Sequence, residues 1–484
     1  MDKIQKEDSK ELIRDAIRMA WPAVLESFFV ALAGMIDTMM VSSLGTYAVA
    51  AVGLTTQPKF IALALFFSSN IAVNALSARR FGQKNRKNAN EILFTAIAFI
   101  VISALIISSI TLMNADAIIK LCGSNSDTHV AAVTYFKVIQ AGMIFNVLSL
   151  VINAAQRGCG NTRIAMTTNI TSSVVNIIFN YLLIGGNLGF PRLEMFGAAS
   201  ATVLGTVVAC IMSILSISKK DCFLSLPYIF KEKIKPSFDA FRSIVSLSFN
   251  LLLENIAMRV GFLTTSIIAA RLGTDAFAAH QVGMNLLTLA FSLGDGMQVS
   301  AVALIGRSLG EKDPEKAKRY GNICQKMGLV ISIILAIILF IFGREIFSLF
   351  FKDSNILDMG VLISRFIMVI VLFQISQIIF AGCLRGAGDL KYCLWASLIS
   401  VTIIRTAVTW GLAGGILDLG LVGIWTGVLS DQFSRFVFLS IRFKQGKWTE
   451  IKIWLKQSLV TWMELCLKII KNQYSHYPIE MKKL

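Results

Sequence analysis

Asp37 lies near the middle of an apolar run, in AGMIDTMMVSSLG at residues 33–45. A carboxylate at bilayer depth is costly, and such groups face a cavity or a partner and mark ion and proton pathways. Desolvation penalises the ionised form and a bound Na⁺ favours it, so proton and cation can compete for one group. Asn176 and Asn180, in NIIFN, stand four residues apart and share a helix face. Thr202 sits in ASATV. Amide and hydroxyl oxygens are hard ligands suited to a small cation, and they serve equally well in hydrogen bonds between helices. Glu254 and Arg259 fall in LLLENIAMRVG. That glutamate has two readings, a second ionisable site or a structural partner of Arg259 or Arg405. Glu26 follows Pro22, whose missing N–H permits a helix to bend; a static kink is the plainer alternative.

These side chains need a membrane scaffold to hold them. Of the 484 residues, 55% are hydrophobic and only 15% charged, where a soluble domain carries about a quarter charged. Apolar runs of transmembrane length recur. Twelve spans are expected, near 13–42, 49–78, 90–113, 130–156, 162–185, 195–217, 243–270, 275–306, 320–341, 357–384, 392–416 and 420–441. Counted over alternate connections with the N-terminus inside, 28 Lys and Arg fall on one face and five on the other. That asymmetry places both termini in the cytoplasm and explains the net charge of +17 without nucleic acid.

The chain repeats itself. LGTYAVAAVG at 44–53 resembles LGTDAFAAHQ at 272–281, an offset of 228, and ARRFGQKNRKNANE at 78–91 matches GRSLGEKDPEKAKR at 306–319. QRGCGNTR at 156–163 matches LRGAGDLK at 384–391, and Glu26 falls on Glu254. FGAASATV at 196–203 aligns with VGIWTGVL at 422–429 after a two-residue slip. Each half holds an even number of spans, so the halves cross in the same sense, related by an axis along the membrane normal. The expected fold is therefore all-α, two six-helix bundles around that pseudo-twofold axis. Residues 1–218 form an N-lobe, 219–242 a cytoplasmic linker, 243–447 a C-lobe, and 448–484 a basic tail with an amphipathic helix at 450–471.

Other chemistries find little support. The eight cysteines include no CxxC, and the three histidines are far apart. The segments RGCG and RGAG read as cytoplasmic turns, and the absence of GxxxxGK[ST] argues against ATP hydrolysis. No cofactor and no enzymatic activity are expected. The 33 Phe and 18 Met include candidates for a cleft lining that accepts varied hydrophobic cations.

The chain resembles the multidrug and toxic compound extrusion (MATE) family. WPAVLESFFVALAGMIDTMMVSSLG, NIIFNYLLIGGNLGFPRLEMFGAASAT, LGTDAFAAHQ, LIGRSLGEKDPEKA and LRGAGD carry the resemblance, over about residues 15–445. It implies a monomeric antiporter in the bacterial inner membrane that expels small cationic amphiphiles in exchange for Na⁺ or H⁺. It also implies a cation or proton site at Asp37, Asn176, Asn180 and Thr202, with Na⁺ as the candidate metal. Asn180 stands where relatives carry a second acid. Glu254 matches an acid that another branch uses for cation and drug binding. That branch has a further acid in the tenth helix, where this chain offers only Gln374 and Gln377; with Glu26 these make up the second candidate group. The rival reading is a lipid-linked oligosaccharide flippase of the same superfamily, whose cavity would be strongly cationic.

Overall fold

The structure, a computed structural model, describes residues 2–451 except 125, 220, 221 and 416. Twelve helical crossings run through it. The first bundle comprises α1 (Asp2–Ser42), α2 (Thr46–Gly82), α3 (Arg86–Met113), a bent α4 (Ser126–Ala141 and Met143–Gly158), α5 (Thr162–Gly185) and α6 (Glu194–Ile217). The second comprises α7 (Phe238–Arg271), α8 (Thr274–Gly310), α9 (Pro314–Ser348), α10 (Ser354–Ala387), α11 and α12 (Gly420–Gln445). α11 is composite: Leu390–Ser397 passes through a π-helical stretch, Leu398–Arg405, into Thr406–Trp410 and a second one, Gly411–Gly415. From residue 452 onward the expected tail helix lies outside the described residues.

Among the described residues, ten helices are long and apolar enough to cross a membrane, and the two arms of α4, bent by 47° at Gly142, make an eleventh. A methyl at Gly142 would lie 2.5 Å from the Val203 side chain, so glycine lets α6 approach the bend. α12 falls short because Asp431, Gln432 and Arg435 interrupt its apolar run; all three are buried against protein rather than lipid. α1 continues unbroken through Pro22. Its N-terminal half packs Leu12, Ala16, Met19 and Ala20 into the core of the second bundle, so α1 ties the lobes together.

The duplication is visible in atomic contacts. At one end of the molecule α2 crosses α8 so closely that a methyl at Gly82 would lie 2.0 Å from the Arg307 carbonyl oxygen. A methyl at Gly310 would lie 2.2 Å from that of Arg79. Residues 82 and 310, like 79 and 307, are separated by the 228-residue offset. The contact is therefore reciprocal, as a pseudo-twofold axis requires. Gly158 packs on the Asn74 carbonyl oxygen as Gly386 packs on that of Val302, again at the same offset. This end is shut by backbone against backbone.

Candidate functional site

Just beyond that closed end, where α1, α2, α7 and α8 meet, lies a cavity of about 390 Å³ lined from both bundles. Two charged clamps flank it. Glu26 on α1 pairs with Arg157 at the end of α4 and accepts a hydrogen bond from Asn169 of α5 at 2.5 Å. Glu254 on α7 pairs with Arg385 of α10 at 2.9 Å and accepts from Ser397 of α11 at 2.7 Å. Every member is displaced by 228 residues from its counterpart. All four charged side chains are buried or nearly so. Such burial is tolerable only because each charge meets its opposite.

These clamps correct two expectations. Glu254 pairs with neither Arg259, which stacks on Phe60 with its guanidinium 5.2 Å from the ring centre, nor Arg405. Arg405 pairs instead with Asp431. The segments expected as cytoplasmic turns place Arg157 and Arg385 on the last turns of their helices, facing the cavity. Gln377 lines the same cavity and donates to Gln432 at 3.3 Å. Gln374 is buried but is not part of the lining.

Asp295 on α8 breaks the symmetry. It lines the cavity, accepts from Gln298 at 3.0 Å, and makes no ion pair among the described residues. Its counterpart at the 228-residue offset is Phe67, which lines the opposite wall. One wall thus offers a carboxylate outside any ion pair, acted on electrostatically by Arg385 and Arg157, and the other an aromatic face. Sequence reading passed over Asp295, although FSLGDGMQVS carries the same signal as the Asp37 run, an acid inside an apolar span.

The second polar cluster lies further along α1. Asn180 Nδ2 donates to Asp37 Oδ1 at 2.6 Å. Asn176 Nδ2 donates to Thr202 Oγ1 at 3.1 Å, and Asn180 reaches Asn176 at 3.4 Å. The four residues proposed from sequence are brought together across α1, α5 and α6. Asn180 Oδ1 is buried with no partner among the described residues, so one amide oxygen is left for a ligand beside the carboxylate. Tyr135 is buried beside Thr202. Lys59 of α2 acts electrostatically on Asp37 and lines a neighbouring pocket with Thr202. Neither Tyr135 nor Lys59 was singled out from sequence, though Lys59 too interrupts an apolar span. No group of three His, Cys, Asp or Glu occurs among the described residues, so any cation here would be held by one acid and neutral oxygens.

Glu26 and Asp37 are eleven residues apart on one helix, which is about three turns and about 16 Å. They therefore share a face of α1, one at the inter-lobe cavity and the other in the polar cluster inside the first bundle.

A profile of the MatE family matches residues 22–182 and 251–410, one match in each half. The chain is 26% identical over 449 residues to the probable multidrug resistance protein NorM of Thermotoga maritima, covering 92% of this chain and 95% of that one. It is 22% identical over 432 residues to the uncharacterized transporter YisQ of Bacillus subtilis, with 89% and 94% covered. A solved structure of an outward-facing multidrug resistance MATE family transporter of the MOP superfamily matches with a TM-score of 0.83. The likeness, at 21% identity, spans 90% of this chain and 97% of that one, and it is one of fold.

Proposed function

Because this chain belongs to the MatE family, we propose that it is a secondary antiporter that exports small cationic amphiphiles in exchange for inward Na⁺ or H⁺. The substrate occupies the inter-lobe cavity, its cationic group at Asp295 and its apolar body towards Phe67. The coupling ion occupies Asp37, with oxygens of Asn180, Asn176 and Thr202 completing its shell. The observation that carries this reading is α1 itself, which presents Glu26 to the cavity and Asp37 to Asn180 from one face. A change of ion occupancy at Asp37 alters how α1 sits against α5 and thereby the wall of the substrate cavity. Coupling requires only that ion and substrate prefer different lobe arrangements.

The protein lies in the inner membrane, with both termini and the closed end of α2 and α8 on the cytoplasmic side. Residues 219–242 link the lobes there. In this arrangement the chain is shut towards the cytoplasm. A flippase for lipid pyrophosphates is less well supported, because Arg157 and Arg385 are each committed to a glutamate. The test is transport by the purified protein in liposomes under separately imposed Na⁺ and pH gradients. Uphill movement of ethidium driven by one gradient is the expected result. Ethidium movement indifferent to both gradients, or movement of a lipid-linked oligosaccharide instead, would overturn the proposal.

A further inference from the structure

The second bundle has its own counterpart of the Asp37 cluster, and the counterpart is already filled. The repeat offset locates it residue by residue. Asp37 falls on Thr265 at the 228-residue offset that also relates the two clamps. Up to Ser397 the same offset holds for α5 and α11, because Asn169 and Ser397 play matching roles towards their glutamates. Beyond Ser397 the π-helical stretch Leu398–Arg405 intervenes. A π turn closes over one residue more than an α turn, so the register advances by one.

Packing bears out that shift. Gly197 abuts the Leu183 carbonyl oxygen, and its counterpart Gly423 abuts that of Leu412. Residues 183 and 412 are 229 apart. With this register Asn176 falls on Arg405 and Asn180 on Thr409. On the last helix of each bundle the slipped offset puts Gly205 opposite Asp431.

The chemistry at the matched place is therefore inverted. Where the first bundle has an acid on its first helix and an amide on its fifth, the second has a hydroxyl, Thr265, and a guanidinium, Arg405. Arg405 Nε donates to Thr265 Oγ1 at 2.9 Å, and its Nη1 lies 3.5 Å from Asp431 Oδ2. Arg405 is buried, as is Asp431, and its guanidinium lies 4.7 Å from the Phe262 ring centre. Arg435 approaches the same carboxylate at 2.9 Å. Two guanidinia around one carboxylate leave the cluster with a surplus positive charge. A mobile cation arriving there would meet repulsion from both and find the Thr265 hydroxyl and the Asp431 carboxylate already held by arginine, with Thr409 Oγ1 left without a hydrogen bond among the described residues.

We infer that Arg405 is a tethered cation occupying the second bundle's equivalent of the ion site, and that it confines the exchangeable ion to the first bundle. It sets the number of coupling ions at one per cycle. This rests on the reading of Asp37 as the ion site, and the experiment separates the two claims.

Binding of ²²Na⁺ is counted on the purified full chain in nanodiscs; if the native chain binds no Na⁺, substrate-induced proton release is counted instead. Native protein binds about one ion and Asp37→Asn about none. Adding Thr265→Asp and Arg405→Asn to Asp37→Asn installs the acid and amide at the matched positions of the second bundle and restores about one ion. Arg405→Lys in the native background keeps a resident charge and leaves the count unchanged. An ion still bound by Asp37→Asn and lost on adding Asp431→Asn would overturn the inference, because the second bundle would then hold the exchangeable ion. A grafted chain that melts cooperatively and binds no ion would also overturn it. An ion bound despite both Asp37→Asn and Asp431→Asn would refute the role of Asp37, and the inference would fall with it; an ion lost in Asp37→Asn and not recovered by the folded graft overturns the inference alone.

Discussion

Replacing Gly82 and Gly310 by alanine should force the closed end of the molecule apart. The added methyl carbons would sit 2.0 and 2.2 Å from the carbonyl oxygens of Arg307 and Arg79. A comfortable contact is about 3.5 Å, so α2 and α8 must separate by about 1.4 Å. Overpacking of this kind costs about 1–3 kcal/mol at a site. The two positions touch across the axis, a methyl at Gly310 lying 3.1 Å from Gly82 Cα. One displacement relieves both, and the costs do not simply add. Alanine also favours helix over glycine by about 0.5–1 kcal/mol, but this gain is the same in either lobe arrangement and cancels from their difference. A net penalty of about 1–3 kcal/mol shifts the equilibrium about 5- to 150-fold away from the closed arrangement. Spin labels at Lys84 and Lys312, exposed on the turns just past the crossing, report the separation by pulsed dipolar spectroscopy once the native cysteines are replaced. The double alanine variant should show a growing population at longer distance. An unchanged distance distribution in folded protein would refute the claim that backbone contact at these glycines holds that end shut.

Asp37→Asn should abolish gradient-driven export while leaving ethidium binding, read by fluorescence polarisation, near native; normal driven transport would remove Asp37 from the mechanism. Asp295→Asn should weaken binding of cationic dyes about tenfold or more and leave ion binding at Asp37 intact, and equal dye affinity would show that the substrate's charge rests elsewhere. Glu26→Gln strands a buried guanidinium and should destabilise the chain by about 3–5 kcal/mol, seen as a lowered melting temperature in detergent. Adding Arg157→Gln should recover part of that loss; a double variant less stable than the single would refute the pairing energetics.

The layout of the fold was readable because its causes are local and repeated. Apolar length marks a span, and the 228-residue offset gave the duplication before any coordinate. Reading stopped short where burial inside protein replaces burial in lipid. Asp431 and Arg435 look unfavourable in a span until each is seen to neutralise the other against Arg405. Arg157 and Arg385 look like cytoplasmic charges because they end their helices, yet in the fold they pair with Glu26 and Glu254. The shared offset of both charge pairs was nevertheless present in the sequence. Asp295 and Lys59 needed only the argument already applied to Asp37. The grouping of Asn176, Asn180 and Thr202 around Asp37 came from resemblance, since spacing alone places the asparagines on one face without saying which helix they meet. The π-helical stretch in α11 left no signature that hydropathy could detect, and it is that one-residue advance which carries Arg405 to its place.

The skeleton is symmetric and its charges are not. Here the clamps at Glu26 and Glu254 preserve the twofold relation close to the closed end, where both bundles must meet in register. Away from it the matched positions diverge: Asp37 against Thr265, Asn176 against Arg405, Phe67 against Asp295. The first bundle keeps a carboxylate with an unpartnered amide oxygen beside it, whereas the second has its carboxylate enclosed by arginines. On the proposed reading only the first bundle changes its charge during a cycle. On that reading the second bundle, its Asp431 held by two arginines, is the frame against which α1 moves, and Asp295, which makes no ion pair among the described residues, is the acid it offers a cationic substrate.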